Sequence, residues 1–176
     1  MHRKGIFRRA LNRLLHSLAK SLPGATSLRP ALHRLRGVTI GHDVFIGDDV
    51  YLENEYPEAI EIQDGVQISL RAVVIAHTRG PGKVIIERNA YLGPSAMLIT
   101  SSGRTLKIGE GAVIGAGVVI TSDVGPQLFI PSPQSKAVAK ATVPLSTANT
   151  IGDFVRGLVP LNDRSSRSTS IEEQNG

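Results

Sequence analysis

Starting from Ile40, every sixth residue through the middle of this chain is a branched aliphatic: Ile40, Ile46 and Leu52, then Ile62, Ile68 and Val74, then Ile86, Leu92 and Leu98, then Ile108, Ile114 and Ile120. The residue four beyond each is small or β-branched in eleven of twelve cases, Tyr56 being the exception. An amphipathic helix needs apolar positions three and four apart, so a spacing of six excludes one here. A three-sided prism accounts for it. Each side is a short strand, three sides make a turn, and parallel stacking of turns buries one large aliphatic and one small residue per side.

The residue three beyond each aliphatic reads Asp43, Asp49, Glu55, Gly65, Arg71, His77, Asn89, Ser95, Ser101, Gly111, Gly117 and Asp123. Seven of the twelve are Gly, Asn or Asp, types that tolerate left-handed backbone, which predicts a corner at this position. Turns starting at Ile40, Ile62, Ile86, Ile108 and Ile130 are 22, 24, 22 and 22 residues apart, three hexads plus an extension of four or six residues that always follows the third hexad. The extensions therefore leave from one edge of the prism. His77 opens the longest of them, in the stretch "AVVIAHTRGPGK". Glu55 precedes it in the same column, and Ser101 and Asp123 follow, each turn displaced by about 4.8 Å.

Composition narrows what such a prism can do. With 176 residues the chain makes one folded unit with tails. It has no cysteine, which excludes disulfides, thiolate metal sites and a cysteine nucleophile, and suits a reducing compartment. Aromatics are 4% and tryptophan is absent, so the core falls to Ile, Val, Leu and Ala. The net charge of +5 is uneven: residues 1–37 hold nine Lys/Arg and no Asp/Glu, leaving the rest mildly acidic. That distribution argues against a nucleic-acid-binding core. No apolar run approaches the roughly 18 residues of a membrane span, and the basic N-terminus lacks a continuous apolar segment with a cleavage site. The expected location is cytoplasmic.

With these residues assembled, the chain resembles the left-handed parallel β-helix acyltransferases, the hexapeptide-repeat family, over residues 37–141. The stretch "IGEGAVIGAGVVITSDV", Ile108 to Val124, is similar to the family's final-coil signature. "IPSPQSKAVAK", Ile130 to Lys140, looks like a diverged form of its closing segment, with Ser132 in place of the usual glycine. "VVIAHT" stands where the sugar O-acetyltransferase branch has its catalytic histidine, and Val50 to Ser69 is similar to polysaccharide-associated members. Pro94 replaces a small polar residue common in the family. The resemblance implies an all-β, single-stranded left-handed parallel β-helix, assembled as a homotrimer, that transfers acetyl from acetyl-CoA to a hydroxyl of a sugar or of a polysaccharide or lipid-linked glycan precursor.

By the same resemblance His77 is the general base of direct transfer in a ternary complex. An imidazole suits a hydroxyl that must lose its proton as the new bond forms. Glu55 is the candidate for orienting the ring, with Asp49 and Asn54 toward the acceptor. Ala116 and Thr121 are implied to line the pantetheine, Lys136 and Lys140 to meet the phosphates, and Ser95 or the amide near Gly93 to face the thioester oxyanion. Arg79 and Lys83 are either contacts to an anionic sugar or the coenzyme, or solvated loop cations. The γ-class carbonic anhydrases share this prism but need three convergent histidines; the coils hold only His42 and His77, on different edges, so no metal is expected. An acetyltransferase for an amine or amino-acid hydroxyl, and a noncatalytic binding module, stay open as alternatives.

The ends complete the expected organisation: a basic helical segment over 1–36, the β-helix over 37–141 and a C-terminal extension over 142–176. Phe7, Leu11, Leu14, Leu18 and Leu22 fall at helical spacing among arginines, and Pro23 and Gly24 then stop the helix. Such a helix over residues 1–22 either lies on an anionic membrane, making the protein peripheral, or covers the open end of the prism. A short helix is expected within Ala148 to Leu158, and disorder over Asn162 to Gly176.

Overall fold

The computed structural model describes residues 6–133, 139–144, 146–147 and 149–161, in two units, Met1–Pro133 and Gln134–Gly176. The first unit opens with two helices, α1 (Ile6–Ser21) and α2 (Leu28–Arg36). A first turn of three strands follows: β1 (Thr39–Ile40), β2 (Phe45–Ile46) and β3 (Tyr51–Leu52). The second turn is β4 (Ile60–Ile62), β5 (Gln67–Ile68) and β6 (Val73–Ile75), and the third is β7 (Lys83–Ile86), β8 (Tyr91–Leu92) and β9 (Met97–Ile99). The fourth is β10 (Thr105–Ile108), β11 (Val113–Ile114) and β12 (Val119–Ile120), closed by β13 (Phe129–Ile130).

These strands stack into three parallel sheets, β1-β4-β7-β10, β2-β5-β8-β11-β13 and β3-β6-β9-β12, the three sides of a left-handed β-helix of about four turns. Register puts each repeat aliphatic on its counterpart, as in Ile46 on Ile68, Ile68 on Leu92 and Leu92 on Ile114. All twelve point inward, and ten of them are at most 1% exposed. One continuous aliphatic core results.

The expected corner exists on two of the three edges. Asp43, Asp49, Arg71, Asn89, Ser95, Gly65, Gly111 and Gly117 all have φ between 54° and 69°. The four third-hexad members, Glu55, His77, Ser101 and Asp123, are not among the residues of positive φ. At Glu55, His77 and Ser101 the chain makes no tight turn because it is leaving the prism. For the same reason Thr78 and Ser102, expected as small buried residues, and Tyr56, the exception at that position, are not buried. Ile60, Val84 and Leu106, two residues before each new turn, fill that edge instead.

The last turn also departs from the expected spacing. Ile130 lies on Ile114, sixteen residues back, not on Ile108. The residue on Ile108 is Val124. The chain thus turns at Asp123 without an extension, and Gln127, with φ 58°, makes the next corner. The sequence shows Val124 only as a small position of the preceding hexad, because its doubled role needs the missing extension.

α2 was not anticipated as a separate helix. Pro30 sits in its first turn, where a missing N–H is harmless, and Gly37 ends it in the left-handed conformation (φ 105°), its N–H donating to the Arg34 carbonyl at 2.9 Å. This helix closes the first turn of the prism. In deeper turns the carbonyl of each repeat aliphatic accepts an amide from the turn before, as Ile62 accepts from Gly41 at 2.8 Å. Ile40, Ile46 and Leu52 have no turn before them. Arg34 Nε donates to the Ile40 carbonyl at 3.1 Å, Arg29 Nη1 to that of Ile46 at 3.1 Å, and Arg36 Nη2 to that of Leu52 at 3.1 Å. One arginine therefore satisfies each edge, which an exposed ladder would otherwise leave open. Asp49 N and Ile46 N are met by the carbonyls of Lys20 and Ala25.

α1 meets α2 through Asn12 and His16. Arg36 joins the two helices: its Nη1 reaches Nδ1 of both His16 (2.7 Å) and His33 (2.8 Å), and its Nε donates to Asn12 Oδ1 at 2.8 Å. Since Arg36 can only donate, both ring nitrogens accept and both histidines are neutral. Burial, reinforced by the Arg36 charge, lowers His16 to about 4 and His33 to about 3. Burial likewise lowers Arg36 to about 10.

In the second unit, β14 (Ala139–Ala141) pairs antiparallel with β15 (Leu158–Pro160). Between them α3 (Ile151–Arg156) carries a reciprocal cap, Thr150 Oγ1 accepting from Asp153 N at 3.1 Å while Asp153 Oδ2 accepts from Thr150 N at 3.0 Å. It lies inside the stretch expected to be helical. The expectation for Asn162 to Gly176 falls outside the described residues.

Candidate active site

His77 follows β6, two residues beyond the strand, where the chain leaves the third side. Its imidazole Nδ1 faces the Glu53 carboxylate Oε2. Glu53 immediately follows β3, one turn earlier on the same side, so the parallel stacking of β3 on β6 brings the two together. The Glu53 side chain is fully buried, whereas that of His77 is 37% exposed. The Tyr56 ring stands edge-on to the imidazole with centroids 5.5 Å apart.

A buried carboxylate needs partners, and Glu53 has them. Its Oε1 accepts from the backbone N–H of Glu55 at 2.7 Å and of Tyr56 at 3.4 Å, and its Oε2 accepts from that of Ala76 at 3.1 Å. Burial pushes its pKa up, but the hydrogen bonds from His77 and from the amides of Glu55 and Ala76 outweigh it and hold the carboxyl below its ordinary value. An ionised acceptor at Nδ1 fixes the neutral ring as the Nδ1–H tautomer. Nε2 is left with its lone pair free for a proton. The backbone under Glu53 is also held, since Arg36 Nη2 donates to the Glu53 carbonyl at 2.7 Å and to Asn54 Oδ1 at 3.0 Å.

The carboxylate on the ring is thus that of Glu53. Glu55, expected there, pairs with Arg9 at 2.7 Å. Glu55 and His77 share a column, but side chains in an extension do not follow the column because the corner geometry is absent. The signal for Glu53 lay one position past the aliphatic. That position is glycine in five of twelve hexads and a carboxylate in two, Glu53 and Glu87, of which only Glu53 belongs to a third hexad. Asn54 accepts from Arg36, and its carbonyl accepts from Asn12. Asp49 pairs with Lys20 at 2.7 Å and stands 3.9 Å from Arg71. The hydrogen bond and charge of Lys20 lower its pKa. Asn54 and Glu55 line a cavity of about 110 Å³ beside α1, together with Arg8, Arg9, Arg13 and Arg36. Lys83 pairs with Glu61 at 2.8 Å.

The residues implied for the acyl donor lie on later turns. Gly93 N–H donates to the Ile114 carbonyl at 2.8 Å and Ser95 N–H to the Leu70 carbonyl at 2.9 Å. Both amides are engaged in the ladder, and only the Ser95 hydroxyl is left to face an oxyanion. A side chain at Gly93 would meet Ala116 N at 2.7 Å, so glycine there serves the close approach of turns. Ala116 and Thr121 are exposed on the fourth turn, available to a ligand running along it. Lys140 is exposed in β14 of the second unit, and Lys136 lies outside the described residues.

Residues 83–122, spanning β7 to β12, match the family model described as the hexapeptide repeat of succinyl-transferase. A comparison with curated proteins finds no match. The matched stretch supports an acyltransferase of the hexapeptide-repeat type, a class that uses acyl-CoA donors and commonly assembles as trimers.

Proposed function

We propose that this protein is an acetyl-CoA-dependent O-acetyltransferase that acts on a hydroxyl of a sugar or glycan precursor, with His77 as general base and Glu53 as the residue that positions it. The observation that carries this reading is the half-exposed imidazole anchored through Nδ1 on a fully buried carboxylate. The acceptor hydroxyl gives its proton to His77 Nε2 as its oxygen bonds to the thioester carbonyl carbon. The carbon–sulfur bond then breaks, and the proton passes from Nε2 to the departing thiolate, releasing coenzyme A and the acetyl ester. While the ring carries the extra proton, the Glu53 carboxylate stabilises its charge.

Assembly as a trimer is part of this reading. The outward residues of the third side, Tyr51, Val73, Met97 and Val119, line up in register and are apolar in every turn. Those of the first side are Thr39, Glu61, Ile85 and Lys107, polar in three of four turns. An apolar column that passes through Val73, four residues before His77, suits a groove between protomers, where Ala116 and Thr121 would meet the donor. The test is acceptor-dependent release of free thiol from acetyl-CoA and from succinyl-CoA over a panel of glycans and amines, comparing wild type with His77→Ala. Loss of turnover on a glycan by at least about 10²-fold supports the reading. Undiminished turnover removes His77 from the chemistry, and preference for an amine removes the O-acetyl assignment.

A further inference from the structure

α1 presents two faces, and only one is used. At about 100° per residue, Asn12, His16 and Ala19 cluster within about 60°. This is the face that carries the contacts to α2 and the prism, with His16 and Ala19 buried. Phe7, Leu11, Leu14 and Leu18 cluster within another 60° or so, centred about 140° away. Phe7 is 83% exposed and Leu14 57%, and Leu11 and Leu18 are exposed as well. Capping the prism therefore employs the polar face of the helix and leaves its apolar stripe outside. Leu35 of α2, 73% exposed, adjoins Leu11 across the arginine-lined cavity and extends the apolar surface.

Charge selects the occupant. By helical phase Arg8 lies beside the stripe, whereas Arg9, Arg13 and Lys20 lie roughly 130–170° from its centre, where Arg9 pairs with Glu55 and Lys20 with Asp49; residues 1–37 contain no carboxylate. A second copy of this helix docking through the same stripe would bring like charges together with no acidic residue of its own to pair them. An anionic lipid surface supplies both complements, an acyl layer for the leucines and phosphates for Arg8 beside them and for the net positive charge of the segment. No helix among the described residues is long and apolar enough to cross a membrane. The geometry points to peripheral docking: we propose that α1 lies flat on an anionic bilayer through Phe7, Leu11, Leu14 and Leu18. It does so independently of the chemistry at His77.

Flotation of the full chain with vesicles tests this. Wild type is expected to float with vesicles of equal parts phosphatidylglycerol and phosphatidylcholine, to stay behind with phosphatidylcholine alone, and to release in high salt. Leu14→Gln/Leu18→Gln is expected to lower partitioning by about tenfold or more with an unchanged melting temperature. Phe7→Gln, at a site still more exposed, is the check if the double variant unfolds. Wild type that ignores the anionic vesicles, or variants that partition as wild type does, would overturn the proposal. So would stripe variants whose main effect is a smaller sedimenting species, which would assign the stripe to a second copy.

Discussion

Replacing Glu53 by glutamine changes one atom and a charge, and the structure allows that change no comfortable orientation. If the new amide group takes the Oε1 position, it faces the N–H of Glu55, 2.7 Å away, and that of Tyr56. If it takes the Oε2 position, it faces the Ala76 N–H at 3.1 Å and forces the imidazole to accept at Nδ1, moving the ring proton to Nε2. Each orientation leaves a buried donor against a donor, costing about 1–3 kcal/mol, and loses charge-assisted bonds of similar size. A net loss of about 2–4 kcal/mol lowers the melting temperature by roughly 5–12 °C in a chain of this length. The second orientation also removes the base, and the first removes the stabilising charge, so kcat should fall by about 10²–10⁴-fold with KM little changed. Scanning calorimetry and acceptor-dependent thiol release measure the two effects. A melting temperature within about 1 °C of wild type together with kcat within threefold would refute the reasoning.

Acid should unfold the protein through the two buried histidines. Each is held neutral when folded, at about 4 for His16 and about 3 for His33, against about 6.5 unfolded. Between these values the unfolded chain binds more protons, so their contribution is intact above about pH 6.5 and declines as pH falls, approaching about 1.4 kcal/mol per pH unit for each. Melting temperatures from pH 7.5 to 5 should drop steeply, and less so in His16→Gln. The depressed Glu53 acts lower, its contribution present above the unfolded carboxyl pKa and lost as pH falls through the folded one. Among the capping arginines, buried Arg29→Ala should cost about 2–4 kcal/mol, since it strands the carbonyls of Leu22 and Ile46. Arg34→Ala, at the surface, should cost under about 1 kcal/mol; urea denaturation ranks them. By the same assay Gly115→Ala, whose added carbon would meet Ser132 N at 2.5 Å, should destabilise more than Gly117→Ala, where φ is 69° and nothing lies within 4 Å.

The prism was legible because its cause is periodic: one inward aliphatic every six residues is a constraint a single strand of text can display. What the sequence hid is non-periodic. Val124 serves as the small residue of one hexad and the start of the next turn, a double role that only the Ile108 pairing reveals. The histidine is visible in the sequence, but the column points to Glu55 as its partner and misleads, because columns hold only where the corner is made. Glu53 reaches the ring from one residue past the strand, a contact set by stacking of turns and not by spacing along the chain. For the basic N-terminus the sequence leaves two uses, membrane or cap. In the structure Arg29, Arg34 and Arg36 cap, while the leucines of α1 face outward. Sequence periodicity could find that helix but not which of its faces the fold would use.

The most direct test of the account is the tautomer of His77 in the folded protein, read from the imidazole nitrogen shifts and their couplings to the ring carbons' protons in a ¹⁵N-labelled sample near pH 8. The Nδ1–H form, reverting toward the Nε2–H form in Glu53→Gln, is the predicted result. A wild-type ring protonated at Nε2 would mean that the carboxylate does not hold it, and that the nitrogen assigned to receive the hydroxyl proton is already occupied.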